Sequence, residues 1–182
     1  MATSTENGAA GHGIPWRILG WGTAALLLSL PYFANAPWTL SDFVFMGVLF
    51  GLVGLAVEFL FRKSGGLTYR LGAAGAIVTA FMTIWVNAAV GMIGDGPYNL
   101  LFGGVLLVAF GGAVLARFAP AGMARAMVAA AVVQGILSAI GLSTDPHGGV
   151  LSMTFAVPWL LAAAFFRSAA RGAAMVGGSP RA

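Results

Sequence analysis

The stretch 41-SDFVFMGVLFGLVGLAVEFLF-61 decides the architecture. Between Asp42 and Glu58 it holds nothing ionisable. A helix rises about 1.5 Å per residue and a hydrocarbon core is roughly 30 Å thick, so a run of about 20 such residues is what a membrane crossing requires. The run has no period-two alternation, and Gly and Leu recur where a membrane strand would favour β-branched residues, so it reads as a helix. Gly47, Gly51 and Gly54 fall on one helical face. Glu58 lies two turns beyond Gly51 and continues that face, which is expected to look into a helix bundle.

Working outward, five more segments resemble it. With the first they span 14–33, 41–61, 67–93, 98–118, 122–142 and 150–166. Turn or breaker residues separate them: Asn35-Ala36-Pro37, Ser64-Gly65-Gly66, Gly94-Asp95-Gly96-Pro97, Pro120-Ala121-Gly122 and Asp145-Pro146-His147-Gly148-Gly149. The expected fold is all-α, a polytopic transmembrane bundle of six helices. Residues 1–13 read as a disordered cytoplasmic tail, 14–167 as one transmembrane domain and 168–182 as a flexible cytoplasmic tail. Ala34-Asn35-Ala36 resembles a signal-peptide cleavage site, and cleavage there would leave five helices.

Composition agrees with this reading. A chain of 182 residues that is 59% hydrophobic and 8% charged, with a mean hydropathy of +0.92, needs lipid as its solvent. The net charge of +4 does not form the clustered basic surface of a nucleic-acid binder, because its basic residues punctuate apolar runs. The absence of cysteine excludes disulfides, thiolate metal sites and thioether-linked haem.

Charge also orients the chain. If the first helix runs from inside to outside, Arg17, Arg62, Lys63, Arg70, Arg117, Arg125, Arg167, Arg171 and Arg181 all fall on one side, and Asp42, Asp95 and Asp145 on the other. With short loops throughout, that asymmetry places both termini in the cytoplasm.

Polar residues within apolar spans cost energy and so mark candidate sites. Glu58 is the only acid inside a span, where a centrally placed charge costs ~2.5 kcal/mol or more. It is either a functional carboxylate or one half of an i,i+4 pair with Arg62. Asn87 and Gln134 lie deeper and carry neutral amides that serve as interhelical glue or as ligand contacts. Each belongs to a small-residue stripe, Thr79, Thr83, Asn87 and Gly91 in the third helix and Gly122, Ala126, Ala130, Gln134 and Ser138 in the fifth, and the two stripes are expected to face each other. Asp42, Asp95, Asp145 and His147 form an outer-face polar set. Asp42 reads more simply as part of a helix start at Thr39-Leu40-Ser41-Asp42, and Asp95 and Asp145 suit turns. One outer histidine without ligand spacing names no metal, and His12 in the tail adds none.

The runs Trp85-Val86-Asn87-Ala88-Ala89-Val90-Gly91-Met92-Ile93-Gly94 and Arg117-Phe118-Ala119-Pro120-Ala121-Gly122-Met123-Ala124-Arg125-Ala126 resemble a group of uncharacterised small bacterial multi-pass membrane proteins. The resemblance implies a bacterial cytoplasmic membrane and brings no activity, cofactor or catalytic residue with it. No G-x-S-x-G elbow, H-E-x-x-H pair, Walker loop or dinucleotide fingerprint is present, so the sequence names no catalytic residue and no cofactor. The expected role is a non-enzymatic transporter-like binder or an accessory subunit of a membrane complex. The alternative is a membrane-embedded enzyme acting on a lipid or isoprenoid, with Glu58 or an outer aspartate as acid or base. Expected company is the lipid bilayer, with room for a membrane-protein partner or a second copy, and no nucleic acid.

Orientation is open to direct test. Reporters fused after Pro37, Gly96 and His147 are expected to read external, and one after Arg181 cytoplasmic. An external reading at the last position would refute the arrangement with both termini inside.

Overall fold

A computed structural model describes residues 16–63 and 66–177. The expected tail at 1–13, the Ser64-Gly65 part of one connector and Arg181 lie outside the described residues. Among the described residues all regular structure is helical, with elements α1 (Trp16–Phe33), α2 (Leu40–Lys63), α3 (Leu67–Ala89), a 3-10 turn (Pro97–Leu101), α4 (Phe102–Leu115), α5 (Pro120–Gly141), α6 (Pro146–Thr154) and α7 (Ala156–Gly177). The 3-10 turn leads directly into α4, and α6 into α7, so these elements make six helical stretches. Five of them are long and apolar enough to cross a membrane: Leu40–Arg62, Leu67–Ala89, Pro97–Leu115, Pro120–Gly141 and Pro146–Met175. The sixth, α1, contains Arg17, Gly20, Gly22 and an internal Pro31, all of which lower its hydropathy.

Two expected boundaries are corrected. The tail expected at 168–182 is helical as far as Gly177, because Ala169, Ala170, Ala173 and Ala174 are strong helix formers and carry α7 past Arg167 and Arg171. The last span begins at Pro146 rather than 150 and breaks at Phe155. Pro158 explains the break. It has no N–H to give the Thr154 carbonyl, and its ring crowds that group.

The chain divides into two compact units, Met1–Gly54 and Leu55–Ala182. In the smaller, the glycine face of α2 seats side chains of α1. Leu28 rests on Gly47, and the Trp21 ring lies so close to Gly54 that an added Cβ would sit 2.7 Å from it. Helix α1 ends with Asn35 in the left-handed region (φ 52), where the Asn35 N–H reaches the Tyr32 carbonyl and the Ala36 N–H the Pro31 carbonyl. This is the Schellman arrangement, and asparagine tolerates the conformation. At the start of helix α2 the Asp42 carboxylate reaches back to Thr39, whose N–H and hydroxyl both donate to Asp42 Oδ2 at 2.7 Å, one half of a capping box.

In the larger unit α5 is the centre. Within the protein 44% of its span window is buried, against 28% for α3 and 22% for the α4 span. Its stripe of Gly122, Ala126, Ala130, Gln134 and Ser138 is wholly buried. Helix α5 packs against α4, α6 and α7, and α3 packs against α7. The expected facing of α3 and α5 is therefore corrected: each helix packs against α7, whose Trp159, Ala162, Ala163 and Phe166 are buried. Gly72 lies under the Phe166 ring and Gly75 against Ala162, while Gly112 meets Ala126 and Gly122 meets Ala116.

These close approaches predict a contrast within α4. A Cβ at Gly112 would stand 2.7 Å from the Ala126 Cβ, whereas one at Gly103 would meet nothing within 4 Å. Gly112→Leu is expected to destabilise the protein by about 1–3 kcal/mol through overpacking, and Gly103→Leu to change it by about 0.5 kcal/mol or less. Thermal unfolding in detergent measures both.

Candidate functional site

The only polar side chains in the larger unit that are fully buried lie on α3, α5 and α6: Thr79, Thr83, Gln134, Ser138 and Ser152, among the described residues. Three of them meet. Gln134 Nε2 donates to the Ser152 carbonyl at 2.9 Å and to Ser152 Oγ at 3.1 Å, crossing from α5 to α6. Ser138 Oγ donates to the Gln134 carbonyl at 2.7 Å and lies 2.8 Å from Ser152 Oγ. Because the Ser138 proton is directed to that carbonyl, the Ser152 hydroxyl is the donor of the serine pair. Met92 Sδ stands 3.9 Å from both Gln134 Nε2 and Ser152 Oγ, closing the cluster from the turn after α3.

The cluster sits at the helix break. The Ser152 carbonyl accepts from the Phe155 N–H at 3.1 Å as well as from Gln134. One acceptor is left over: Gln134 Oε1 is buried and has no partner. Flipping the amide does not help, since it would set Oε1 against the Ser152 carbonyl, acceptor against acceptor. A buried polar atom without a partner costs about 1–3 kcal/mol. Asn87 behaves differently. Its Nδ2 donates to the Thr83 carbonyl of its own helix at 2.7 Å, and its Oδ1 is also buried without a partner. Thus Gln134 bonds across helices as expected, and Asn87 does not.

Glu58 is half-buried and meets Arg62 Nη2 at 3.4 Å, the i,i+4 pair. Beside it is a shallow open groove of about 460 Å³ lined by Leu55, Glu58, Phe59 and Arg62, all on one face of α2.

The residues expected on the outer face act locally. Asp42 caps α2 as described. Asp145 is the N-cap of α6, accepting from the Gly148 N–H at 2.9 Å and the Gly94 N–H at 3.1 Å. The Gly148 amide first, then the Gly94 amide, hold its carboxyl below the usual aspartate range, against some opposition from burial and with smaller help from His147. A depressed pKa means that this anchoring is complete above the ordinary aspartate value and is lost as pH falls through the lower, folded one. Asp95 and His147 are exposed. Among the described residues no three His, Asp or Glu side chains are placed to share a metal ion.

Sequence reasoning missed Asn99, which organises the turn between α3 and α4. Its Oδ1 accepts from the Met92 and Ile93 N–H groups at 2.8 and 2.9 Å, and its Nδ2 donates to the Gly94 carbonyl at 2.7 Å. Gly91 (φ 74) and Gly94 (φ 53) supply the left-handed conformations this turn needs. Tyr98 ties the turn to α5 by donating to the Leu137 carbonyl at 2.7 Å. The available signal was an amide just after Gly96-Pro97, inside what read as a span. Ser152 was missed because Pro158, the mark of the break, was not read as one.

No family model, curated protein or solved structure matches this chain.

Asn99 generates a prediction. Asn99→Ala leaves the N–H groups of Met92 and Ile93, both 2% exposed, without acceptors. The expected cost is about 1–3 kcal/mol, with amide exchange at Met92 and Ile93 accelerated as the direct readout.

Proposed function

We propose that this chain is a non-enzymatic multi-pass protein of a bacterial cytoplasmic membrane, with both termini inside, that binds a small neutral polar solute within its bundle as a transporter does. The carrying observation is the unpartnered Gln134 Oε1 beside Ser138 and Ser152 at the break between α6 and α7. Broken helices placed in a bundle's interior are a recurrent way of exposing backbone and side-chain polar groups to a solute inside the membrane. The cluster consists of amide, hydroxyl, carbonyl and thioether groups, which suit a neutral partner rather than an ion.

Charge placement supports the orientation. In the larger unit, packing brings Arg62, Arg70, Arg117, Arg125, Arg167 and Arg171 to one end, and the turns holding Asp95, Asp145 and His147 to the other. The enzyme reading has less support, because Glu58 already meets Arg62 and the core cluster offers no acid or base. The accessory-subunit reading draws on the same Gln134 bond taken as glue between α5 and α6.

Vesicle shrink–swell measurements separate these readings, with glycerol and urea as probes. Vesicles containing the protein are expected to equilibrate with at least one probe faster than protein-free vesicles. Gln134→Leu is expected to remove the gain while stability falls modestly, since interhelical bonds in membranes average about 0.6 kcal/mol. Unchanged permeability to both probes, together with a second membrane protein co-purifying in fixed ratio, would sink the solute-binding reading in favour of the accessory subunit.

A further inference from the structure

The arginine-bearing end of the larger unit is organised around Phe118. Helix α4 ends in a Schellman motif, in which the Arg117 N–H reaches the Val114 carbonyl and the Phe118 N–H the Ala113 carbonyl. The residue that must turn left-handed is Arg117 (φ 50), and Phe118 follows it (φ 60). Glycine is the ordinary occupant of that position, because a Cβ is strained there. The turn would form more readily without the side chain it carries. A strained residue that the local fold does not need is a pointer to another use.

Contacts to Phe118 show what surrounds that side chain. Tyr69 Oη donates to the Phe118 carbonyl at 2.9 Å, which brings the start of α3, and so Arg70, to the turn. The Phe59 ring meets the Phe118 ring edge to face at 4.9 Å, which brings the end of α2, and so Arg62 one turn on. Arg62, Arg70 and Arg117 are all exposed. Arg70 also lies over the Phe61 ring, 5.8 Å from its centroid. Glu58 is the one carboxylate among these described neighbours, so three positive charges less one negative leave two positive. Phe59 also lines the open groove that runs from Leu55 to Arg62, with the Glu58 carboxylate between its two apolar lining residues.

We propose that Arg62, Arg70 and Arg117 hold the phosphate of an anionic phospholipid, with an acyl chain lying along Leu55 and Phe59. Guanidinium groups pair well with phosphate oxygens. These three stand at the ends of apolar helices, where headgroups lie, and the groove beside them continues toward the apolar part of α2. The inference is independent of the solute site at Gln134.

The test uses the full chain with phosphatidylglycerol and phosphatidylcholine as probes, measuring lipid retention by native mass spectrometry and unfolding midpoints in phosphatidylcholine alone. Wild type is expected to retain phosphatidylglycerol preferentially. Arg117→Gly, which relieves the left-handed residue, is expected to keep or raise the midpoint and weaken that preference by about five-fold, the size of one arginine's attraction to an anionic surface. Arg171→Gln removes equal charge near the end of α7 and is expected to leave most of the preference in place. Equal retention of the two lipids by wild type would overturn the proposal. So would an equal loss in Arg171→Gln, which would make the preference a diffuse charge effect, or a lowered midpoint in Arg117→Gly, which would make Arg117 structural.

Discussion

The close approach of helix backbones at small residues is the constraint on which the rest of the larger unit depends. Lipid tails are as apolar as leucine, so moving a leucine from lipid to a helix interface gains little, and packing with interhelical hydrogen bonding must supply the association. The four glycine contacts are where that happens. Gly72 admits Phe166, Gly75 admits Ala162, Gly112 admits Ala126 and Gly122 admits Ala116. Large apolar residues such as Leu107, Phe110 and Leu115 of α4 are left on the outside, 74%, 67% and 88% exposed, which is the inverse of a water-soluble bundle.

Close approach has a second consequence, because it excludes solvent from any polar group caught between the helices. On α3, Thr79 and Thr83 satisfy themselves by donating to carbonyls four residues back in their own helix. Gln134 instead reaches α6, where the Ser152 carbonyl, already bonded to the Phe155 N–H in the turn that ends the helix, accepts a second bond. One end of the amide finds a partner on α6, and its carbonyl oxygen is left without one.

The helical class and the buried α5 stripe were legible in the sequence, because a four-residue spacing of Gly, Ala, Gln and Ser has few readings in an apolar run, whereas Pro120-Ala121-Gly122 and Pro146-His147-Gly148-Gly149, read as breakers, open helices. Which helix each stripe meets was not legible. Small residues permit close approach to any neighbour, and nothing local says that α7 lies against both α3 and α5. Glu58 and Arg62 were legible as a pair from spacing alone, since four residues is one helical turn. Asn99 was not, because its role is to bond backbone groups six and seven residues earlier, and only the folded turn brings them within reach. The helix break was signalled by Pro158, yet a proline early in a helix is tolerated, so the residue alone does not say whether the helix begins there or breaks.

The two helix ends closed by Schellman motifs show how a local rule and its violation carry different information. At Asn35 the left-handed position holds a residue that adopts it readily, so the cap needs no further account. At Arg117 the same backbone geometry holds a side chain that gains nothing from it, in a turn already secured by the Tyr69 bond to Phe118 and the ring contact with Phe59. Those long-range contacts are what hold the strained turn in place. They fix the direction in which the Arg117 backbone leaves α4, toward the ends of α2 and α3 where Arg62 and Arg70 stand. Glu58 stands beside Arg62 and offsets part of this charge, and a membrane surface supplies further anions to exposed guanidinium groups. The strain, the packing that sustains it and the gathered charge therefore have a common explanation in a bound phosphate, which none of them has separately.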